Sequence, residues 1–223
     1  IAAAHGVTVV DNSSQWRMDK EVPLVVPEVN PQDIAWNKGI IANPNCSTIQ
    51  AMVALKPLQD KYGIKRVVYS TYQAVSGSGV KGINDLKNGL AGDDEHLQAY
   101  AHPIAGNCLP HIDVFTDNGY TKEEMKMINE THKILGNDDI KVTATTVRVP
   151  VFDSHSESIN IELEKPFELK DVVELFKNSP GIVVQDDVAH NVYPLARDAA
   201  GTDAVYIGRI RRDFSVENGL KIW

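Results

Sequence analysis

Three short apolar runs near the start of the chain, VTVV at 7–10, LVV at 24–26 and GIIA at 39–42, constrain the fold more than any other feature, because each stops abruptly at polar or turn-forming residues. Runs this short and apolar suit strands of a parallel sheet, which is covered on both faces and so loses the usual in–out alternation. Before the first run, IAAAHG reads as a helix end with Gly6 as its C-terminal glycine, which predicts an αβ rhythm with a buried strand ending at residue 10. Asp11-Asn12-Ser13-Ser14 then falls where open α/β sheets place their ligands. The third run passes through Asn43-Pro44-Asn45-Cys46-Ser47-Thr48 into a helical pattern carried by Ile49, Met52, Val53 and Leu58, with a kink expected at Pro57.

Beyond Gly63 the rhythm changes. Residues 66–75, RVVYSTYQAV, alternate and are rich in β-formers, so they predict a strand, which ends in a flexible Ser76-Gly77-Ser78-Gly79 turn. Residues 81–110 are irregular and read as a mobile or interface-forming excursion. Thr121-Lys122-Glu123-Glu124 is a capping box, and Met125, Ile128, His132 and Leu135 recur at helical spacing up to Gly136, predicting an amphipathic helix with that apolar stripe inward. Strands are expected over 141–151 and from Ser158, a helix around Leu169, Val172, Val173 and Phe176, and two further strands at GIVVQDD and DAVYIGRIRRD. Adjacent strands mixed with helices predict a mixed sheet with its helices on one face.

The hydrophobic fraction of 43% in 223 residues is enough for a substantial core. A net charge of −8 leaves no basic footprint for nucleic acid or an anionic membrane, so any anionic ligand has to be held by a few local cations. No apolar run approaches the roughly 18 residues that would span a bilayer, and no signal segment opens the chain. The reading is a soluble, cytoplasmic enzyme or binding domain. Two widely separated cysteines, Cys46 and Cys108, are expected to be reduced thiols.

Cys46 stands at the start of a helix, where unpaired N–H groups favour a thiolate and hence nucleophilic catalysis. The competing reading is a small residue packed under a turn, the reading kept for Cys108. A thiolate needs an acid/base partner. Among seven histidines, His132 lies on an apolar helical stripe and reads as packing, whereas His155 follows a strand in a polar turn, DSHSES, and is placed to titrate. Arg148 lies inside the apolar strand TTVRVPV, so its guanidinium requires either an internal salt bridge or a ligand carboxylate. Arg17 is either an ordinary surface residue or part of an anion site with Ser13 and Ser14. Glu123 and Lys126, three apart on a helix, read as a surface pair. No Cys/His cluster has metal-ligand spacing, so a metal mechanism is not expected.

Taken in order, VVDNSSQWRM, PLVVPEVN, IIANPNCSTIQ, STYQAVSGSG, LPHIDVFTDNGYTKEEMKM, TTVRVPVFDSHSES and YIGRIRRD resemble the blocks of the aspartate-semialdehyde dehydrogenase family. The resemblance runs nearly end to end. It implies reduction of L-β-aspartyl phosphate with NADPH to L-aspartate β-semialdehyde and free phosphate, a step in lysine, threonine and methionine biosynthesis. It further implies Cys46 as the nucleophile that forms a thioester, His155 as acid/base and Gln73 as the group orienting the acyl carbonyl. Arg148 would clamp the substrate α-carboxylate, Glu123 pair with its amino group, Asn45 bind substrate, and Lys126 and Arg17 bind phosphate. Ser76 and Gly77 would line the nicotinamide side of an NADP site.

The fold implied is a remnant of a Rossmann-type parallel sheet, residues 1–45, followed by a mixed-sheet catalytic and dimerisation domain of the glyceraldehyde-3-phosphate-dehydrogenase-like type, residues 46–223, forming a homodimer or homotetramer. The family's Gly-rich pyrophosphate turn has no counterpart here, and the chain opens on Ile1, so a piece of a longer protein is expected. Two alternatives stay open. N-acetyl-γ-glutamyl-phosphate reductase uses similar chemistry on a blocked amine, which would have no use for Glu123, and a cofactor-free thiol hydrolase would use Cys46 and His155 alone.

Overall fold

A computed structural model of the protein describes residues 2–223. The opening segment forms a single 3-10 turn, Ala3–His5, closed by Gly6 in the left-handed region at φ +78°. Strand β1 (Val9–Asp11) pairs in parallel with β2 (Ile40–Ala42), Val9 opposite Ile40 and Asp11 opposite Ala42. The expected strand at 24–26 reduces to one parallel bridge, Leu24 to Ala42, on the far side of β2. β1 is also not the buried strand expected, since Val10 is 71% exposed.

Helix α1 (Cys46–Tyr62) follows β2 at once and continues through Pro57 to its end. It is buried almost all round through Ala51, Met52, Val53, Ala54, Leu55 and Leu58, which is the mark of a central helix. Strand β3 (Ile64–Gln73) begins at Ile64 and stops at Gln73, two residues short of the expected Val75. The supposedly flexible turn after it is a 3-10 helix, Val75–Ser78, running straight into α2 (Gly79–Leu90).

The irregular reading of 81–110 is therefore corrected over its first third. Three glycines depress the helix propensity of GVKGINDLKNGL, but Leu86 packs with Val75 and Ile104 into a small second core, and tertiary packing supplies what propensity lacks.

Helix α3 (Lys122–Leu135) carries the expected capping box and stops at Gly136, φ +63°. Its buried face is not the expected one. Met125, Ile128, His132 and Leu135 are only half-buried, while Glu123, Glu124, Met127, Glu130, Thr131 and Ile134 are fully buried. The carboxylates lie inward because each has partners there: Glu124 closes the capping box and accepts the Thr146 N–H, and the other two serve the site described below.

Strand β4 (Lys141–Arg148) runs parallel to β3, and β5 (Ser156–Leu163) antiparallel to it. After α4 (Leu169–Lys177) come β6 (Ile182–Val184), α5 (Ala196–Ala199), β7 (Val205–Ile207), β8 (Arg211–Asp213) and β9 (Gly219–Ile222). β6 and β7 form a small parallel pair; the rest make a mixed five-stranded sheet in the order β4-β3-β5-β9-β8. Val67, Tyr69 and Thr71 on β3, Ala144 and Thr146 on β4, and Ile159, Ile161 and Leu163 on β5 point to one face, under α1, α3 and α4, and join one continuous core with Leu24, Val26 and Ala42.

The register brings the chemistry together. Gln73, the last residue of β3, lies opposite Arg148, the last of β4, and Tyr72 opposes Ser156, the first residue of β5. His155, one residue before β5, therefore meets the ends of both parallel strands. α1 delivers Cys46 to the same place from the adjacent layer.

Candidate active site

Cys46 is the first residue of α1, and Asn45 caps the helix with its Oδ1 accepting from the N–H groups of Ser47 and Thr48. The rest of Asn45 is engaged too. Its own N–H donates to Glu130 Oε2 at 2.7 Å and its Nδ2 to Glu123 Oε1 at 2.8 Å. Every polar atom of this side chain is thus used to fix the residue before the thiol.

The thiol opens onto a cleft of about 930 Å³. His155 Nε2 lies 3.2 Å from Cys46 Sγ, and Nδ1 accepts the Ala74 backbone N–H at 3.0 Å. With Nδ1 accepting, the neutral ring carries its proton on Nε2, facing the sulfur. Burial, then the positive charge of Arg148, push the His155 pKa down to about 4, so the ring is neutral near pH 7. Enclosure by protein, then the charge of Glu123, raise the Cys46 pKa, and the Ser47 N–H and Arg148 oppose them without prevailing. The lowered thiol pKa expected from the helix start is corrected accordingly: desolvation outweighs the helix end. The pair rests as thiol and neutral imidazole, with Nε2–H ready to donate to an anion formed on or beside sulfur. Ser154, immediately before His155, sits at φ +69°, a strained setting for a non-glycine residue and one that aims the histidine.

Glu123 is the hub of the cleft floor. Its Oε1 accepts from Asn45 and, at 3.1 Å, from Gln73 Nε2, and its Oε2 from Lys126 Nζ at 3.2 Å. Because a carboxylate only accepts, the amide nitrogen of Gln73 must face it, which fixes the amide's orientation. Gln73 Nε2 also donates to Ser47 Oγ, while Gln73 Oε1 is buried with no partner among the described residues. Lys126 lies between Glu123 and Asp113, 2.7 Å away, and Asp113 adopts φ +67° to reach it. The expected surface pair is thus a half-buried ionic cluster inside the cleft.

The two arginines differ. Arg17 Nε donates to Asn43 O and one terminal nitrogen to Asn12 O, both at 2.9 Å, while the other makes a 3.1 Å ion pair with Glu130. Two of its five N–H groups remain for a ligand. Arg148, equally buried, has no carboxylate partner among the described residues: one terminal nitrogen donates to Ala74 O at 2.6 Å and Nε has no partner there.

Gly77 faces the same point, since a Cβ there would lie 2.9 Å from an Arg148 terminal nitrogen and 3.2 Å from His155 Cε1. Ser76 does not line the cleft; its N–H donates to Phe152 O. The other nine expected residues, Arg17, Asn45, Cys46, Gln73, Gly77, Glu123, Lys126, Arg148 and His155, all line it. Sequence reasoning missed Glu130, buried Asp85 and Tyr100. The signal for Glu130 was available, since it shares a helical face with Glu123, Met127 and Ile134.

Residues 55–223 match the family model of the semialdehyde dehydrogenase dimerisation domain, and residues 1–37 match that of the semialdehyde dehydrogenase NAD-binding domain. Over 99% of its length the chain is 57% identical to the aspartate-semialdehyde dehydrogenase of Aquifex aeolicus (strain VF5), covering 67% of that protein. The chain belongs to the aspartate-semialdehyde dehydrogenase family. A further family relative, from Bacillus subtilis (strain 168), is 45% identical over the whole chain, which covers 68% of it. The chain therefore spans about two thirds of the length of these relatives.

Among solved structures, the family's aspartate semialdehyde dehydrogenase II of Vibrio cholerae, complexed with ASA, superposes with a TM-score of 0.95 at 46% identity, covering all of this chain and 67% of that one. The enzyme of Candida albicans with NADP superposes at 0.74 with 28% identity, over 99% of this chain and 66% of that one. The fold is accordingly the α/β, glyceraldehyde-3-phosphate-dehydrogenase-like arrangement of this family. The match to an NAD-binding domain, with the NADP-bound neighbour, supports a nicotinamide cofactor, and the dimerisation domain supports oligomerisation. Among the described residues no helix is long and apolar enough to cross a membrane, and no His, Cys, Asp and Glu side chains group to hold a metal.

Proposed function

We propose that the chain forms the catalytic and dimerisation part, with a short stretch of the dinucleotide-binding domain (residues 1–45), of an NADP-dependent enzyme that reduces L-β-aspartyl phosphate to L-aspartate β-semialdehyde. The observation that carries this reading is the Cys46–His155 pair at 3.2 Å in one cleft with Arg148, a buried guanidinium that no protein carboxylate answers. An α-carboxylate supplies the missing partner, for which the planar fork is suited.

In this reading Cys46 sulfur attacks the acyl carbon, and as the acyl–phosphate bond breaks the S–H proton passes to the departing phosphate oxygen, giving a thioester and hydrogen phosphate. The N–H groups left on Arg17 and Lys126 face the departing phosphate. Glu123 takes the substrate ammonium, and Asn45 and Gln73 hold Glu123 in place for it. When bound, the reduced nicotinamide supplies a hydride to the thioester carbon. Gly77 would border such a group: it lines the cleft and packs so closely on Arg148 and His155 that a Cβ would crowd both, whereas Ser76 lies outside the cleft. His155 Nε2–H stabilises the resulting oxyanion and then the Cys46 thiolate as the carbon–sulfur bond breaks and the aldehyde leaves. Glu123 disfavours an acetylated amine, and no observation favours the sister reductase or a hydrolase. An amino-acid biosynthetic step of this kind belongs in the cytoplasm, and the match to a dimerisation domain supports pairing with a second copy.

The test is phosphate-dependent reduction of NADP by aspartate semialdehyde in the full-length enzyme, beside N-acetylglutamate semialdehyde. Turnover is expected with the first aldehyde only, and Cys46→Ala should lower it more than about 10³-fold. Turnover that survives this substitution would refute the assignment.

A further inference from the structure

Tyr100 lies in the loop after α2 and lines the same cleft as Arg148 and Cys46. Its hydroxyl is buried and has no hydrogen-bond partner among the described residues, and the same holds for Arg148 Nε. Two buried donors without acceptors on one wall are an uncommon arrangement, since nearly all buried polar groups are paired.

Its placement is built rather than incidental. The Asp85 carboxylate, buried on α2, accepts three successive N–H groups of the loop: Gln98 at 2.8 Å, Ala99 at 2.8 Å and Tyr100 itself at 3.2 Å. This clamp pins the backbone from which the ring projects. Gly82, one turn earlier on α2, leaves room for the hydroxyl, because a Cβ there would lie 2.6 Å from it. The ring meanwhile packs against the small core of Val75, Leu86 and Ile104. Asp85, Gly82 and this core hold in place a hydroxyl that the fold itself does not use.

We infer that Tyr100 is a substrate-positioning residue whose hydroxyl donates, beside Arg148, to the carboxylate of the aldehyde substrate. The inference rests on the function proposed above and extends its carboxylate site from one donor residue to two. A carboxylate has two oxygens with acceptor capacity to spare, so a guanidinium and a phenol can share it. A site that answers a substrate's polar group with buried donors rejects analogues lacking that group, so Tyr100 would also sharpen selection for the carboxylated aldehyde.

The experiment is steady-state kinetics of Tyr100→Phe in the full-length enzyme, with KM measured separately for aspartate semialdehyde and for inorganic phosphate and with thermal unfolding as a check on folding. Phe keeps the ring and its packing. The expected result is a rise of about tenfold or more in KM for the aldehyde, with KM for phosphate unchanged and the loss carried by KM rather than kcat. An unchanged aldehyde KM, or an equal rise in both KM values, would overturn the Tyr100 assignment while wild-type turnover left the proposed function standing. Absence of wild-type turnover would instead remove the reading beneath it. Asp85→Asn, which weakens the clamp without touching the ring, should raise the aldehyde KM in the same selective way, and an effect on kcat alone would count against the assignment.

Discussion

The two walls of the cleft are built on opposite principles. On the wall formed by α3 and the start of α1, the buried charge of Arg17 is answered by Glu130, whose second oxygen takes the Asn45 N–H, and Asn45 in turn caps the helix that begins with Cys46. On the wall formed by the ends of β3 and β4 and the loop after α2, Arg148 Nε, Gln73 Oε1 and the Tyr100 hydroxyl are buried without partners among the described residues. Both arginines are buried, but Arg17 is paired with a carboxylate and Arg148 is not. The first wall holds the nucleophile still and the second is shaped for something that is not protein, which is the division of labour expected where binding groups must be preorganised before the ligand arrives.

This contrast is open to direct attack. Glu130→Ala strands a buried guanidinium and an N–H, so it should destabilise the protein by about 3–5 kcal/mol, read as a shift in the urea midpoint. A midpoint within experimental scatter of wild type would mean that the first wall is not a structural lock. Arg148→Met should do the reverse: it removes a buried charge that already lacks a carboxylate partner, so stability should hold or rise, by up to about 4 kcal/mol, while the KM for aspartate semialdehyde rises about a hundredfold. Comparable loss of stability in the two variants would erase the distinction between the walls.

A pH-dependent effect on stability concerns Glu157, which is paired with Gln50 through Oε1 and has no partner for Oε2 among the described residues. Burial pushes its pKa up to about 8, with the Gln50 hydrogen bond pulling the other way. The folded protein then holds this proton while the unfolded chain has released it, so between about pH 4.3 and 8 the unfolded state binds fewer protons and stability falls as pH rises. Glu157→Gln cannot release a proton and should flatten that fall, by no more than about 1.4 kcal/mol per pH unit. Urea midpoints at pH 5, 7 and 9 decide the matter, and parallel decline in wild type and variant would show that Glu157 is already ionised.

Much of this was legible from the residues. The apolar runs around β1 and β2, the capping box of α3 and the helix start at Cys46 are local features, and the structure carries them at or near the expected positions. α2 was illegible because its stability comes from Leu86 packing against Val75 and Ile104 rather than from its glycine-rich sequence. The apolar stripe of α3 was read on the wrong face for a related reason. A scale that scores Glu as outward-facing cannot anticipate Glu123 and Glu130 turned inward, because their partners lie far away in the chain.

The sequence by itself determined which groups are available: one thiol at a helix start, one histidine in a polar turn, and an arginine inside an apolar strand. Tertiary structure alone decided what each became. It set Cys46 against His155 across 109 residues and Arg17 against Glu130 across 113, and left Arg148 unpaired at the strand end facing Gln73. It also put the His155 proton on Nε2, through an N–H donated from 81 residues away. The physical reason is that propensity and capping act over a few residues, whereas the charge state, desolvation and pairing of a buried group depend on whatever the fold brings within about 4–6 Å of it.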